Sequence, residues 1–384
     1  MHRYSPQGHG AMVSDRVRVE AYARAIRRQV RPGSVVLELG TGTGLFAILA
    51  ARQGARRVYA IECDDIIGAA RRNAAANGCG DTIEFIHALS TRAELPERAD
   101  VIVSDMRGVV PYHERHLEAI VDARARFLAP GGQLIPAQDR LWVACIEAED
   151  IHRGMTEPWS PQVCGADLGA ARELVLNGWE RMQARPEQLV SAVVHCGTLD
   201  YPSLAPDHFR LAVHASLVAN RPGMAHGLCM WFDSTLAEGV ELSNAPEAPP
   251  LVYGQAFLPW PHAVAVADGT TIAVAIDARL VGDDYLWTWK ARVRDAASGA
   301  DLRFEQSTFL GVPLSSDTLR RRAASYVARV DDDARIDRVA LGLMEEGRAL
   351  GAIGHELAAR FPARFARWED ALAHAGELSI RYGR

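Results

Sequence analysis

The run Val35-Val-Leu-Glu-Leu-Gly40-Thr-Gly-Thr-Gly44 constrains the fold more than any other part of the chain. An apolar strand enters three alternating glycines, and the apolar stretch Leu45–Ala51 then reads as a helix. Glycine allows a tight turn and a close backbone approach to a ligand where a Cβ would collide. Eighteen residues past Gly44, the strand Arg57-Val-Tyr-Ala-Ile61 delivers Glu62, placed to accept hydrogen bonds from ribose hydroxyls. The dinucleotide fingerprint G-x-G-x-x-G needs a glycine at position 45, where the bulky Leu45 stands, and this disfavours a nicotinamide oxidoreductase. No phosphate-binding lysine follows the loop. The spacing therefore suits a nucleoside without pyrophosphate, which points to S-adenosylmethionine.

From Ser34 to Pro136 strands and helices alternate, which predicts a mostly parallel, doubly wound sheet. The strands expected are Val35–Leu39, Val58–Ile61, Thr82–Ile86, Val101–Ser104 and Gln133–Ile135, separated by helices around 45–52, 65–77 and 114–127. Residues 1–33 read as a polar lead followed by a helix, Asp15–Gln29. Beyond Pro136 the period changes. Phe209, Leu211, Val213, Ala215 and Leu217 alternate with polar or small residues, as do Ile272, Val274 and Ile276, and then Tyr285, Trp287, Trp289 and Ala291. Period-two alternation predicts an antiparallel sheet or barrel over 137–314. Gly169–Val190 reads as helical, giving an arm at about 165–190. Ser315–Asp333, arginine-rich and then acidic, reads as a linker, and residues 334–384 as a small helical domain with Ile336, Val339 and Leu343 on one face.

Composition closes off several functions. A net charge of -6 with arginines and acids interspersed offers no basic field for nucleic acid. Strand 99–104 is followed by Ser104-Asp105-Met-Arg rather than an Asn/Asp-Pro-Pro-Tyr/Phe acceptor motif, which disfavours a nucleic-acid methyltransferase. No apolar run approaches the roughly 18 residues of a membrane span, and no signal peptide is evident. The six cysteines, at 63, 79, 145, 164, 196 and 229, include no C-x-x-C pair, so neither a zinc site nor a disulfide framework is expected, and a reduced cytoplasm suits them.

Ligands of an open parallel sheet sit at the carboxyl ends of its strands. Asp105 therefore projects towards the glycine loop, and Glu114 follows nine residues later. Two carboxylates bracketing a loop suit a cationic nucleophile held in line with a methyl donor. Glu114 reads equally as a first-turn acid on helix 114–127. His113 reads as a general base for an oxygen or carbon nucleophile, or as a surface histidine. Tyr112 and Tyr253 read as an aromatic wall or as ordinary packing.

From about Tyr4 to Leu310 the chain resembles the protein arginine N-methyltransferase family. The resemblance rests on His9-x-x-Met12-x-x-Asp15-x-x-Arg18-x-x-x-Tyr22, on Val36–Leu45, on Gly54-Ala-Arg-Arg-Val and Ile61-Glu-Cys, and on Leu128-Ala-Pro-Gly-Gly-Gln-Leu-Ile-Pro136. Trp159, Gly165-x-Asp167-Leu168, His226-Gly-Leu, Trp231-Phe-Asp and Pro246-Glu-Ala-Pro extend it. It implies a class I methyltransferase domain of Rossmann type over 34–136, preceded by a cofactor lid over 1–33. A β-barrel with a helical arm would follow, and the chain would pair as a homodimer in which Leu174, Leu176 and Trp179 are candidates for a buried arm face. The C-terminal helices, about 334–376, are similar to winged-helix modules.

The resemblance implies S-adenosylmethionine held by His9, Met12, Arg18, Gly40, Thr41, Gly42, Gly44, Leu45, Glu62, Cys63 and Ser90, with S-adenosylhomocysteine as product. Arg18 would pair with the methionyl carboxylate, and Asp105 and Glu114 would grip the acceptor. Four places depart from the family pattern. Asp105 is one methylene shorter than the family's glutamate, Arg107 replaces an apolar Met, Leu251-Val252-Tyr253 replaces Thr-His-Trp, and Thr91 replaces an adenine-side glutamate. The acceptor thus reads either as an arginine guanidinium, with Arg107 turned away, or as another nitrogen, an oxygen or a carboxylate of a peptide, protein or small metabolite, with Arg107 binding an anionic group. A lapsed binding module is a third reading, against which the intact glycine loop, Arg18 and Glu62 argue.

Overall fold

Five short runs of branched and apolar residues build the first half of the protein. The computed structural model describes residues 5–160 and 165–383; Tyr4 and Cys164 lie outside them. Helices α1 (Pro6–Ser14) and α2 (Arg16–Gln29) precede β1 (Val35–Leu39), α3 (Leu45–Arg52), β2 (Arg57–Glu62), α4 (Ile67–Ala76), β3 (Ile83–His87), β4 (Ala99–Ser104), α5 (His116–Phe127) and β5 (Leu128–Ile135). The strands pair in parallel in the order β3-β2-β1-β4-β5. Every residue of β1 is buried, because α2 and α3 pack on one face of the sheet and α5 on the other. The strand order reverses between β1 and β4. The loops leaving their carboxyl ends, 40–44 and 105–115, therefore diverge around one crevice.

The polar lead is itself helical. Ser5 accepts a hydrogen bond from the Gly8 amide at 3.1 Å, Pro6 presets the first turn, and Asp15 then caps α2 through the Arg18 amide at 3.0 Å. Short polar helices of this kind give no apolar stripe to read from sequence: no α1 residue is buried.

The second half folds as two antiparallel sheets. One contains β6 (Gln138–Ile146), β7 (Glu180–Met182), β8 (Val194–Asp200), β10 (Gly223–Ala237), β11 (Val240–Ser243) and β12 (Gln255–Val266), and the other contains β9 (Arg210–Val218), β13 (Thr271–Val281), β14 (Asp284–Arg294) and β15 (Asp301–Ser307). In the four-stranded sheet burial alternates along β13 and β14, as expected when one face is solvated. Helices α6 (Glu149–Thr156) and α7 (Gly169–Leu176) lie between β6 and β7. The arm helix is thus shorter than the expected Gly169–Val190. It ends at Asn177-Gly178, where the chain turns into β7 and pairs with β12. One apolar core runs from β1, β2 and β4 into the barrel, and a second joins α2 and α3 to Phe232, Leu236, Leu251 and Tyr253. Residues 1–313 consequently form one compact unit.

Residues 314–384 form the other. Helix α8 (Ser316–Arg322) lies inside the expected linker, and α9 (Asp332–Glu345), α10 (Leu350–Arg360) and α11 (Trp368–Tyr382) pack around Ile336, Leu343, Ile353, Leu357, Phe365 and Leu378. No strand occurs among its described residues, so the winged-helix similarity extends to the helices and not to a wing.

Candidate active site

The glycine loop folds as its spacing requires. Gly40, Gly42 and Gly44 take φ of 67°, 54° and 83°, the left-handed region that a side chain strains to enter. The Gly40 and Thr41 amides donate to the Ile61 carbonyl at 2.9 and 3.0 Å, tying the loop to the end of β2. Glu62, the last residue of that strand, accepts from the Gly42, Cys63 and Asp64 amides at 2.9, 2.9 and 3.0 Å. Its carboxylate is therefore fixed beside the loop. The His9 ring lies over Gly42 and the Met106 side chain over Gly40, at distances where a Cβ would crowd them. Thr41 donates to Glu38 at 2.5 Å; burial raises the Glu38 carboxyl to about 8, which Thr41 only partly opposes.

Leu45 opens α3, and Ser90 lies just beyond the carboxyl end of β3, where its carbonyl accepts from Arg126 at 2.7 Å. Burial, then the neighbouring Glu62, raises the Cys63 thiol to about 11, so it stays protonated near neutrality.

Asp105 follows β4 and is the centre of the second cluster. Its carboxylate accepts from Arg18 Nε at 2.6 Å, pairs with Arg18 Nη2, and accepts from the Tyr253 hydroxyl at 2.6 Å. Arg107 Nε lies 3.5 Å from its other oxygen. Burial favours the neutral acid, but Arg18 and Arg107 prevail and hold the Asp105 carboxyl below the usual carboxylate range. Burial likewise works against the Arg18 charge, and Asp105 more than offsets it. Arg18 also donates to the Met12 carbonyl at 2.9 Å, joining α1 to α2 above the crevice. The cation expected to meet a cofactor carboxylate thus engages Asp105 in this structure.

Arg107 does not enter the crevice. It is fully buried, donating to Asp139 at 2.7 Å, to Ser234 Oγ at 2.6 Å and to the Tyr22 hydroxyl. Its guanidinium also lies 5.0 Å from the centre of the Phe232 ring. Asp139 takes a second bond from the Tyr201 hydroxyl at 2.7 Å, and that hydroxyl meets His116 Nε2 at 3.2 Å. Burial, then Arg107, lowers His116 to about 3, leaving the ring neutral.

Glu114 corrects the helix expectation. Helix α5 starts at His116 with Arg115 as its cap, so Glu114 is not a first-turn acid. Among the described residues it is the only non-glycine with positive φ, 41°, and its amide donates to Asp284 at 3.2 Å. A residue held in this region costs about 1–3 kcal/mol and persists where its surroundings fix it. His113 packs over Gly108, where an added Cβ would stand 2.8 Å from its ring. Tyr112 packs edge-on against Tyr285 and Trp287, whereas Tyr253 lies on Asp105, so the two rings do not form one wall.

Sequence reading gave no role to the supporting residues. Asp15 accepts from the Val252 amide at 2.8 Å, and Asn244 donates to the Gly254 and Val109 carbonyls at 2.5 and 3.2 Å, anchoring the loops that carry Tyr253 and Asp105. Asp139, Ser234 and Tyr201 lie far along the chain from Arg107 and form no local pattern.

Residues 21–136 match the model for ribosomal protein L11 methyltransferase, and residues 137–287 match the arginine methyltransferase oligomerization subdomain. The chain is 28% identical over 275 residues to protein arginine N-methyltransferase 1 of Dictyostelium discoideum, covering 70% of this chain and 80% of that one. It is 30% identical over 279 residues to protein arginine N-methyltransferase 6 of Danio rerio, covering 69% and 79%. It is 31% identical over 263 residues to a probable protein arginine N-methyltransferase 6 of Arabidopsis thaliana, of which it spans 57%. Among solved structures, the Trypanosoma brucei PRMT1 enzyme-prozyme heterotetrameric complex with AdoHcy superposes with a TM-score of 0.71 at 22% identity, covering 78% of this chain and 97% of that one.

Proposed function

Since the chain belongs to the protein arginine N-methyltransferase family and is an S-adenosylmethionine-dependent methyltransferase, we propose that its acceptor is an arginine guanidinium of a peptide or protein. The observation that carries this reading is the direction of Arg107. Its guanidinium is buried against Asp139, Ser234 and Tyr22 and its charge is paired with Asp139, so it does not stand in the crevice as a free cation against an incoming guanidinium.

Methyl transfer from a sulfonium is an in-line displacement, for which the protein supplies positioning and electrostatics. The bound cofactor supplies the electrophilic methyl group. The fixed Glu62 carboxylate suits ribose hydroxyls, the open backbone at Gly40 and Gly42 suits close approach, and Arg18 suits the methionyl carboxylate. The donors available at the loop are of the kind this cofactor takes. Asp105, kept ionised, and Glu114, held by its anchored amide, would grip the guanidinium and aim one nitrogen at the methyl. The match of 137–287 to an oligomerization subdomain supports a homodimer, which sedimentation would report as twice the chain mass.

Incubating the full-length protein with isotope-labelled S-adenosylmethionine and cell extract, followed by mass spectrometry, tests the acceptor. Labelled methylarginine that disappears in Glu114→Gln supports it. Label appearing only on another group removes arginine as the acceptor. Calorimetry without S-adenosylmethionine binding would remove the enzyme reading itself.

A further inference from the structure

We propose that Arg107 is a positioning residue: anchored in the buried junction between the parallel sheet and the barrel, it holds Asp105 in place and ionised once Arg18 is committed to the cofactor. The inference rests on the reading of Arg18 given under Proposed function.

The geometry divides the guanidinium in two. Its Nη atoms are bound by Asp139 and Ser234 on one side and by Tyr22 on the other. Its Nε has no hydrogen-bond partner within ordinary reach and faces Asp105 at 3.5 Å. Turning the fork away from Asp105 would unpair Asp139, whose second oxygen is already held by Tyr201. A planar five-donor group clamped at one end is fixed at the other. Arg107 therefore presents a constant positive edge to Asp105.

Charge makes that edge consequential. The groups facing Asp105 are Arg18 and Tyr22 from α2, Arg107 from its own loop, Tyr253 from the 251–254 segment, and His116 from α5 at longer range. Only Arg18 and Arg107 are cations, since His116 is neutral near neutrality. Asp105 is buried, with 5% of its side chain exposed, so water offers little to its charge. Sharing Arg18 with a cofactor carboxylate weakens its hold on Asp105. Arg107 is then the cation whose Nε edge still faces Asp105, because Asp139 pairs with its Nη1 and does not compete for Nε. Losing both cations would favour protonation, and a protonated Asp105 would no longer attract a guanidinium.

The test needs no acceptor. Calorimetric titration of S-adenosylhomocysteine into the full-length protein at pH 7, in two buffers of different ionisation enthalpy, counts protons taken up on binding. The wild-type protein is expected to take up close to none at Asp105. Arg107→Met paired with Asp139→Asn, which leaves Tyr201 an acceptor and no carboxylate unpaired, is expected to take up a substantial fraction of one proton per site. Its uptake should rise as pH falls from 8 to 6 and vanish when Asp105→Asn is added. Arg107→Lys, which keeps the charge but not the clamped fork, should take up more than the wild type and less than the double variant. Equal uptake in the wild type and the double variant overturns the proposal. So does a double variant that melts like the wild type and no longer binds S-adenosylhomocysteine, which would make Arg107 part of the cofactor site. Failure to find methylarginine leaves these outcomes untouched, whereas a wild type that binds no S-adenosylhomocysteine overturns the enzyme reading and this inference with it.

Discussion

Replacing Asp139 with alanine should be among the most damaging single changes in residues 1–313, although nothing at that position touches the crevice. Asp139 is fully buried and accepts from Arg107 at 2.7 Å and from Tyr201 at 2.7 Å. Without it, a buried guanidinium keeps only Ser234, Tyr22 and the 3.5 Å approach to Asp105, which is already shared with Arg18. Breaking a buried pair by removing one partner costs about 3–5 kcal/mol, because the other charge stays behind. At about 2 °C per kcal/mol for a unit of this size, the midpoint should fall on the order of 6–10 °C. Arg107→Met together with Asp139→Leu removes both charges and fills their volume, and should recover all but about 1 kcal/mol of the loss. Urea unfolding followed by tryptophan fluorescence is the suitable assay, since every tryptophan except Trp368 lies in residues 1–313. The coupling between the two positions should exceed about 2 kcal/mol. A single Asp139→Ala cost under about 1 kcal/mol, or a double variant as unstable as the sum of its singles, would refute the charge-compensation reasoning.

Three further outcomes are expected. The Glu38 carboxyl rises to about 8 in the folded chain from an ordinary value near 4.5, so the native state holds a proton that the unfolded state releases. Its contribution is present below pH 4.5 and lost as pH rises through 8; Glu38→Gln should therefore lose less stability than the wild type between pH 5 and 8, and parallel melting curves would contradict this. Tyr253→Phe removes a hydroxyl bonded to both Asp105 and Arg18, and at about 1.5–3 kcal/mol for bonds to charged groups it should lower kcat/KM about tenfold to a hundredfold; unchanged kinetics would exclude it from the site. Asn244→Ala strips the Phe232 amide and the Gly254 and Val109 carbonyls of their shared partner, and hydrogen exchange should quicken in segments 105–114 and 251–254 relative to β13; identical protection would show that the loops are held elsewhere.

The glycine loop and the acid beside it were legible in sequence because their parts are local. Strand, glycine loop and terminal acid lie within 35–62, and the backbone geometry each needs restricts the residue type at that place. Of the barrel strands, β9, β13 and β14 were legible from alternation, whereas β10, buried on both faces along most of its length, gave no such pattern. What failed to show were short elements without an apolar stripe: α1, the end of the arm helix at Leu176, and α8. The start of α5 was misplaced because an acid beside an apolar run resembles a first turn, and only the positive φ of Glu114 shows that the chain is still turning there. Least legible was the junction. Arg107, Asp139, Tyr201 and Ser234 meet from four separate segments, and their meaning depends on that meeting.

The departures from the family pattern stop looking independent once the junction is considered as a whole. Asp105 is shorter than a glutamate, and the Tyr253 hydroxyl stands 2.6 Å away, supplying a donor that an indole in the family triplet would place differently. Arg107 brings a charge where an apolar side chain is expected, and Asp139 supplies its counter-charge from the first barrel strand. Each change alone leaves a buried group short of a partner, at a cost of about 1–3 kcal/mol for a neutral group and more for a charge. Together they close but for one donor, Arg107 Nε, which faces Asp105 at 3.5 Å without a hydrogen bond. Two cations, Arg18 and Arg107, face two anions, Asp105 and Asp139, with Tyr22, Tyr201, Tyr253 and Ser234 filling the remaining bonds. A set whose charges balance internally can keep Asp105 ionised without drawing on solvent, which is the condition an acid must meet to act on a cationic acceptor from inside a protein.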